Sequence, residues 1–251
     1  MLEGKKILVC GGSGSIGGAV VDLLVDAGAK VYATAGSEEG ADRFIAHHPD
    51  ADVFHLDAVH PDERKRDSLV AWVELTLHSK GPIDGIVYSV GRCPPGGFDE
   101  AIRYPFNALP AEQLRQELDL HVVGLLNVFK TVLSALKNGA AIVVVSSAIT
   151  RATLAPMPDW LYAGHYAAAK AAQDELTRWM RRDSVVRQRC INIHRLAFGA
   201  VDTPFHHGCR HSPPALIPLK AAASEIVAAL DSETIVDKVI LPSPTNPPTA
   251  A

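Results

Sequence analysis

At 251 residues, with 47% hydrophobic and 21% charged side chains, the chain is long enough for one α/β domain that buries a sheet on both faces, and this composition excludes disorder over most of its length. A formal net charge of -4 with scattered Lys and Arg excludes the basic stripe of a nucleic-acid binder. No uninterrupted apolar run approaches the roughly 20 residues needed to span a bilayer, and residues 1–6 lead straight into an apolar strand with no space for a secretory leader.

Short apolar runs alternate with longer amphipathic stretches, the rhythm of βαβ units, which predicts a parallel sheet. The first strand is expected at 7–10 and its helix at 16–27, closed by Gly28. A second strand follows at 30–35 with a helix at 41–47, and a third at 53–56 with a helix at 64–79. The fourth strand, 83–89, opens into a Pro- and Gly-rich excursion over 92–110 and then a long helix at 111–137. The fifth strand is placed at 141–146 with a helix at 163–182, and the sixth at 191–196. A Pro-rich excursion over 203–220, a helix at 224–230 and a seventh strand at 235–241 complete the domain, and the proline-laden tail 242–251 continues neither helix nor strand. One domain therefore spans 1–241. Both excursions follow strands, and ligands bind at the carboxyl ends of strands in open α/β sheets, so both are candidate pocket walls. The second, carrying Phe205, Leu216 and Ile217, is expected to act as a lid.

Directly after the first strand, Gly11 precedes Gly12-Ser13-Gly14-Ser15-Ile16-Gly17, which fits G-x-G-x-x-G. Such a turn lets backbone approach a diphosphate and aims the free N–H groups of a helix N-terminus at it, so Gly11, Ser13, Gly14, Ser15, Ile16 and Gly17 are assigned to a dinucleotide. The end of the second strand, Thr34-Ala35-Gly36-Ser37, carries neither the acid that selects NAD nor an Arg, while Glu38 and Glu39 follow closely. Ser37 could meet a ribose hydroxyl or a phosphate, which leans slightly to NADP over NAD. Past the third strand, Asp57 beside Ala58 could bond the adenine amino group or simply cap a turn. Val90 and Gly91 close the fourth strand on the same side.

Tyr166 and Lys170 stand at i, i+4 near the start of a predicted helix, on one face. An ammonium beside a phenol, together with the positive charge of an oxidised nicotinamide, would favour phenolate. Ser147, at the end of the fifth strand, could hydrogen-bond a substrate oxygen as charge develops on it.

Taken together and in order, these motifs resemble the short-chain dehydrogenase/reductase family over about residues 4–241. Tyr166 and Lys170 match its Tyr-x-x-x-Lys pattern, Ser147 its strand-end Ser, and Gly199-Ala200-Val201-Asp202-Thr203-Pro204 looks like the segment that contacts the nicotinamide side, through Gly199, Val201 and Thr203. The resemblance implies a doubly wound, seven-stranded Rossmann sheet in the order 3-2-1-4-5-6-7 and Tyr166 as acid/base. It further implies that Lys170 orients the ribose and that Ser147 steadies the substrate carbonyl. A homodimer or homotetramer is implied too, paired through the helices at 111–137 and 163–182 with Leu176 or Trp179 at the contact.

The chain departs from the pattern at several points. Tyr88-Ser89-Val90-Gly91 stands for Asn-Asn-Ala-Gly, Phe198 for a Pro, and the interval between Ser147 and Tyr166 is longer than usual. The family's catalytic Asn falls at His121, which could hold a water, carry protons itself, or be a packed helix residue. Leu154, Met157, Trp160, Leu161 and Tyr162 in the long interval suggest a sizeable, partly apolar substrate.

The expected activity is thus NAD(P)-dependent interconversion of a carbonyl and a secondary alcohol on a small-molecule substrate. The alternative is a catalytically silent, dinucleotide-binding regulator. No metal is assigned, because His206, His207, Cys209 and His211 crowd six positions and would strain a tetrahedral site. The four cysteines, Cys10, Cys93, Cys190 and Cys209, lack paired spacing, which suits reduced thiols and a cytoplasmic location.

Overall fold

A computed structural model describes residues 2–49, 52–55, 69–75, 79–91, 106–150, 164–206 and 215–242. Seven strands form one sheet: β1 (Lys6–Cys10), β2 (Lys30–Ala35), β3 (Asp52–His55), β4 (Ile83–Tyr88), β5 (Leu136–Ser147), β6 (Asn192–Phe198) and β7 (Asp237–Ile240). They run in the order β3-β2-β1-β4-β5-β6-β7, and every pairing is parallel. After β3 the chain returns to the far side of β1 and starts β4, so the winding reverses between β1 and β4. In open α/β sheets ligands bind outside the carboxyl ends of the strands at such a reversal.

The strands are continuous apolar runs because both faces are covered. In β1, Ile7 and Val9 face one core cluster while Leu8 and Cys10 face the other, all at 1% exposure or less. One cluster joins Ile7, Val9, Val31 and Val143 to Val20, Val21 and Leu24 of α1 (Ser15–Asp26), and to Ala222, Ala223 and Ile226 of the helix Leu219–Leu230. The other joins Leu8, Ile86, Ile142 and Val144 to Leu125, Val128, Phe129 and Val132. In chain order the helices after α1 are α2 (Glu38–His47), α3 (Leu69–Leu75), α4 (Ala111–Leu118), a π turn at Asp119–Val123, α5 (Gly124–Val132), α6 (Gly164–Arg182), α7 (Ser184–Gln188) and α8 (Leu219–Leu230).

Four features depart from the expected elements. The helix expected at 111–137 ends at Val132. Leu136 and Lys137 instead begin β5, where Leu136 pairs with Ile83, Lys137 Nζ reaches Asp84 Oδ1 at 2.6 Å, and Arg189 donates to the Leu133 carbonyl at 2.6 Å. Tertiary partners override a helical period that the sequence carries on. The short α7 was not foreseen; Asp183 caps it by accepting from the Val185 and Val186 N–H groups at 2.8 and 3.3 Å. Helix α8 begins at Leu219, inside the segment expected to be a lid. Finally, the helical stretch Ala111–Ala135 is, by length and composition, apolar enough to cross a membrane, although no uninterrupted run suggests it. Its apolar face, with Leu125, Val128 and Phe129, packs into the core.

Candidate active site

The glycine turn leaves the carboxyl end of β1 at Gly11, whose φ of +81° suits glycine. The Gly11 N–H donates to Thr34 Oγ1 at 3.0 Å, tying the turn to β2. Gly17, in the first turn of α1, packs so tightly on Gly11 that an added Cβ would stand 2.1 Å from the Gly11 oxygen. Helix α1 is capped by Gly14, which has no side chain to satisfy the first N–H groups, and its first turn holds no acid. Ser13, Gly14 and Ser15 are exposed and Ile16 is half-buried. An uncapped helix N-terminus approached through bare backbone fits a diphosphate.

Beneath the turn lies Cys10, fully buried, with its thiol pushed up to about 12 by burial. At the end of β2, Ser37 caps α2: its Oγ accepts from the Gly40 N–H at 3.1 Å. Glu38 and Glu39 occupy the first turn of α2 and are exposed. Asp57 and Ala58 lie outside the described residues. Ser89 Oγ donates to the Cys10 carbonyl at 2.9 Å, and Val90 and Gly91 follow at the carboxyl end of β4.

Beyond β6, the Gly199 N–H donates to the Ile240 carbonyl at 2.7 Å, Val201 forms a parallel bridge with Ile217, and Thr203 Oγ1 donates to the Val201 carbonyl at 3.3 Å. Gly199, Val201 and Thr203 are thus pinned on the same edge of the sheet as the glycine turn. Ile217, expected in a lid, is 4% exposed and belongs to the core, because this bridge draws it inward. Phe205 stacks edge-on against His206 with ring centroids 4.9 Å apart; residues 207–214 lie outside the described part, and with them the rest of the His and Cys cluster.

Ser147, Tyr166, Lys170 and His121 come together. The phenol of Tyr166 is within hydrogen-bond reach of Ser147, whose Oγ also accepts from the Ile149 N–H at 3.3 Å. Lys170 is buried, its Nζ 5.8 Å from the Tyr166 ring centroid, donating to the Val145 carbonyl at 3.2 Å and to Gln173 Oε1 at 3.0 Å. His121, 1% exposed on the π turn, meets the Tyr166 ring edge-on at 5.6 Å between centroids. Its Nε2 is 3.2 Å from Glu117 Oε2.

The electrostatics of the chain alone differ from the expectation that the ammonium favours phenolate. Burial pushes Tyr166 up to about 12, the Ser147 hydrogen bond pulls the other way, and the charge of Glu117 adds to the rise. Burial also pushes Lys170 down to about 8, against the opposing pull of Asp174 and Glu117. Desolvation is the leading cause at both groups, since burial disfavours the charged form of each.

The frame around the pair includes residues the sequence reading did not single out. Asp174, one turn beyond Lys170, accepts from Ser146 Oγ at 2.5 Å and from Arg195 Nη1 at 2.8 Å; Arg195, 1% exposed in β6, also bonds Asp237 Oδ1 at 2.9 Å through Nε. This buried network locks α6 against β5 and β6, and so fixes Tyr166 relative to Ser147. Glu117 and Asp174 each stand four residues from a singled-out residue, His121 and Lys170, a helical spacing that would have found both. Leu176, partly buried, packs against the core, whereas Trp179 is 60% exposed.

A family model described as short chain dehydrogenase matches residues 5–213. The chain is 30% identical to a 2,5-dichloro-2,5-cyclohexadiene-1,4-diol dehydrogenase of Sphingobium indicum over 205 residues, 81% of this chain and 75% of that one. It is 27% identical to a 3-oxoacyl-acyl-carrier-protein reductase of Vibrio cholerae over 205 residues, covering 80% of this chain and 75% of that one. A short chain dehydrogenase from Burkholderia cenocepacia solved in complex with NADP superposes with a TM-score of 0.73 at 21% identity, covering 97% of this chain and 90% of that one.

Proposed function

Because the chain belongs to the short-chain dehydrogenase family and is an NAD(P)-dependent oxidoreductase, we propose that it interconverts a carbonyl and a secondary alcohol with Tyr166 as acid and base. The observation that carries this reading is the convergence of Ser147, Tyr166 and Lys170 on the sheet edge that bears the uncapped glycine turn. When bound, the dinucleotide supplies the carbon that gives or takes the hydride. Ser147 donates a hydrogen bond to the substrate oxygen, and Tyr166 gives that oxygen its proton in reduction or takes it in oxidation. In the free chain the phenol, pushed up to about 12, holds its proton throughout the neutral range and is ready as the acid. Lys170 orients the ribose side of the site and, as an ammonium, favours the phenolate once the proton has left.

Gly11, Ser13, Gly14, Ser15, Ile16 and Gly17 hold the diphosphate in this reading, Asp57 and Ala58 the adenine, and Val90, Gly91, Gly199, Val201 and Thr203 the nicotinamide side. The sequence leans to NADP through Ser37, whose Oγ accepts the Gly40 N–H and keeps its own hydrogen to donate, but the exposed Glu38 and Glu39 beside it would repel an added phosphate. We therefore assign NAD as the tighter ligand. The substrate is small to medium and partly apolar; the ring diol named for the Sphingobium relative supports a secondary alcohol on a carbocycle. A homodimer or homotetramer uses exposed Val123 and Leu126 beside the π turn and Trp179 on α6. The buried thiol of Cys10 and the unpaired Cys190 support the cytoplasm.

Titration with NADH and NADPH, followed by turnover on a panel of cyclic ketones and alcohols, tests the reading. Tyr166→Phe is expected to lose about 100-fold or more of turnover, the scale of acid–base assistance, with dinucleotide affinity within about twofold. Turnover retained by that variant overturns the acid/base assignment; binding without oxidation of any alcohol supports the regulatory alternative.

A further inference from the structure

The packing of the α4–α5 helix on α6 places a second buried charge at the proton-transfer site. Glu117 and His121 are 8% and 1% exposed, and their side chains meet at 3.2 Å across the junction of α4 with the π turn. A π turn admits one extra residue and rotates the positions after it, a device common at functional sites. Here it aims His121 at α6. The ring is held from two sides: it lies edge-on to Tyr166, and its Cε1 would be 3.7 Å from a Cβ placed on Gly91, so it fills the space under the chain that follows β4.

We propose that Glu117 is a positioning residue of the proton-transfer site: bonded to His121, its carboxylate fixes that ring against Tyr166 and is a countercharge to the Lys170 ammonium. The inference rests on the reading of Tyr166 and Lys170 as the acid–base pair. Among the described residues, the titratable groups facing the pair are Tyr166, Lys170 and His165 of α6 and Tyr88 of β4, whose hydroxyl donates to the Leu120 carbonyl at 2.9 Å. The negative charge of Glu117 acts on all three α6 groups in the same sense, raising each, while Asp174 is the other anion felt by Lys170. Asp174, however, is spanned by Arg195 and Ser146, which leaves Glu117 as the anion on the Tyr166 side.

A carboxylate accepting from Nε2–H fixes the tautomer of the imidazole and leaves Nδ1 as its basic nitrogen. The pair therefore predicts an observable that does not depend on turnover. In the unliganded protein, the imidazole 15N pattern that disappears in His121→Asn is expected to be that of the Nε2–H form. Glu117→Gln keeps a hydrogen-bond acceptor but removes the charge, so the tautomer persists. The lysine 13Cε signal that disappears in Lys170→Met then titrates at a pH lower by about half a unit or more than in the parent.

Glu117→Ala removes both functions and is expected to mix the tautomers. In turnover, Glu117→Gln shifts the acidic limb of the kcat/KM profile downward with KM for the dinucleotide little changed, which a purely structural residue would not do. A Lys170 titration that does not move in Glu117→Gln, or a tautomer untouched in Glu117→Ala, overturns the proposal. Because Gln preserves the bond, the first reading survives even if the Ala variant does not fold. Absence of turnover in the parent protein would count against the acid–base reading instead, and the two failures are thereby separate.

Discussion

Replacing Lys170 with Met tests the cost of holding an amine in this site. Lys170 is 4% exposed, and burial brings it from an ordinary 10.5 down to about 8. Its folded value is depressed, so between pH 8 and 10.5 the unfolded chain binds more protons than the folded one, and stability rises with pH across that window. Below the folded value the slope fades, because Lys170 is then charged in both states. Integrated from pH 7 to pH 9, the group contributes a rise of about 1 kcal/mol, since stability gains roughly 1.4 kcal/mol for each pH unit over which the unfolded chain alone stays protonated.

Met has a similar length and no charge, so Lys170→Met removes this slope, and at pH 7 it also removes the penalty of burying an ammonium. Part of that gain is lost, because the Val145 carbonyl and Gln173 Oε1 lose their donor. The assay is urea denaturation of the parent and the variant at pH 7, 8 and 9. The difference between the two is expected to move by about 1 kcal/mol in favour of the parent as pH rises from 7 to 9. A difference that is flat with pH would show that the amine is not desolvated in the folded chain, and the electrostatic account of the site would fall.

Other perturbations separate the parts of the site. Gly17→Ala puts a methyl group where an oxygen of the glycine turn stands 2.1 Å away; calorimetric affinity for the dinucleotide is expected to fall by roughly tenfold or more, while far-ultraviolet circular dichroism stays that of the parent. Unchanged affinity would mean that the turn does not carry the diphosphate. Arg195→Met strips the cation from Asp174 and Asp237, and leaving a buried carboxylate uncompensated is expected to cost about 3 kcal/mol or more in chemical denaturation. A loss below about 1 kcal/mol would remove the network from the list of what fixes α6. Isothermal titration is expected to rank NAD above NADP, and Glu38→Arg to reverse that order; NADP binding tighter in the parent would refute the repulsion argument from the first turn of α2.

Much of this was legible because a parallel sheet covered on both sides writes itself as apolar runs. The bounds of β2 are those the sequence suggests, and α1 and α6 fall within one residue of them. Where the reading failed, tertiary partners decided. Leu136 and Lys137 continue a helical period but are claimed by Ile83 and Asp84, and the polar Asn138 and Gly139 hid the start of β5. Glu117 stands at a helical spacing from His121 that the sequence does carry, but the burial of both side chains and their meeting at 3.2 Å depend on how the π turn packs on the domain. Arg195 stands in a strand that was read for its apolar residues alone, and its two carboxylate partners lie 21 and 42 positions away, a distance that no local pattern reports. The part of Ser37 in capping α2 becomes evident only from the hydrogen bond to Gly40.

The thiol at the foot of the glycine turn has a consequence for handling and ageing. Oxidants and alkylating agents attack thiolate, and at about 12 with no exposed surface Cys10 offers almost none at any ordinary pH. Peroxide or air therefore leaves the floor of the glycine turn intact. Of the two cysteines among the described residues, Cys190 is the exposed one, in a left-handed bend at φ 51° just before the amino end of β6, so a label attached there would stand at the edge of the sheet opposite Ser147 and Tyr166.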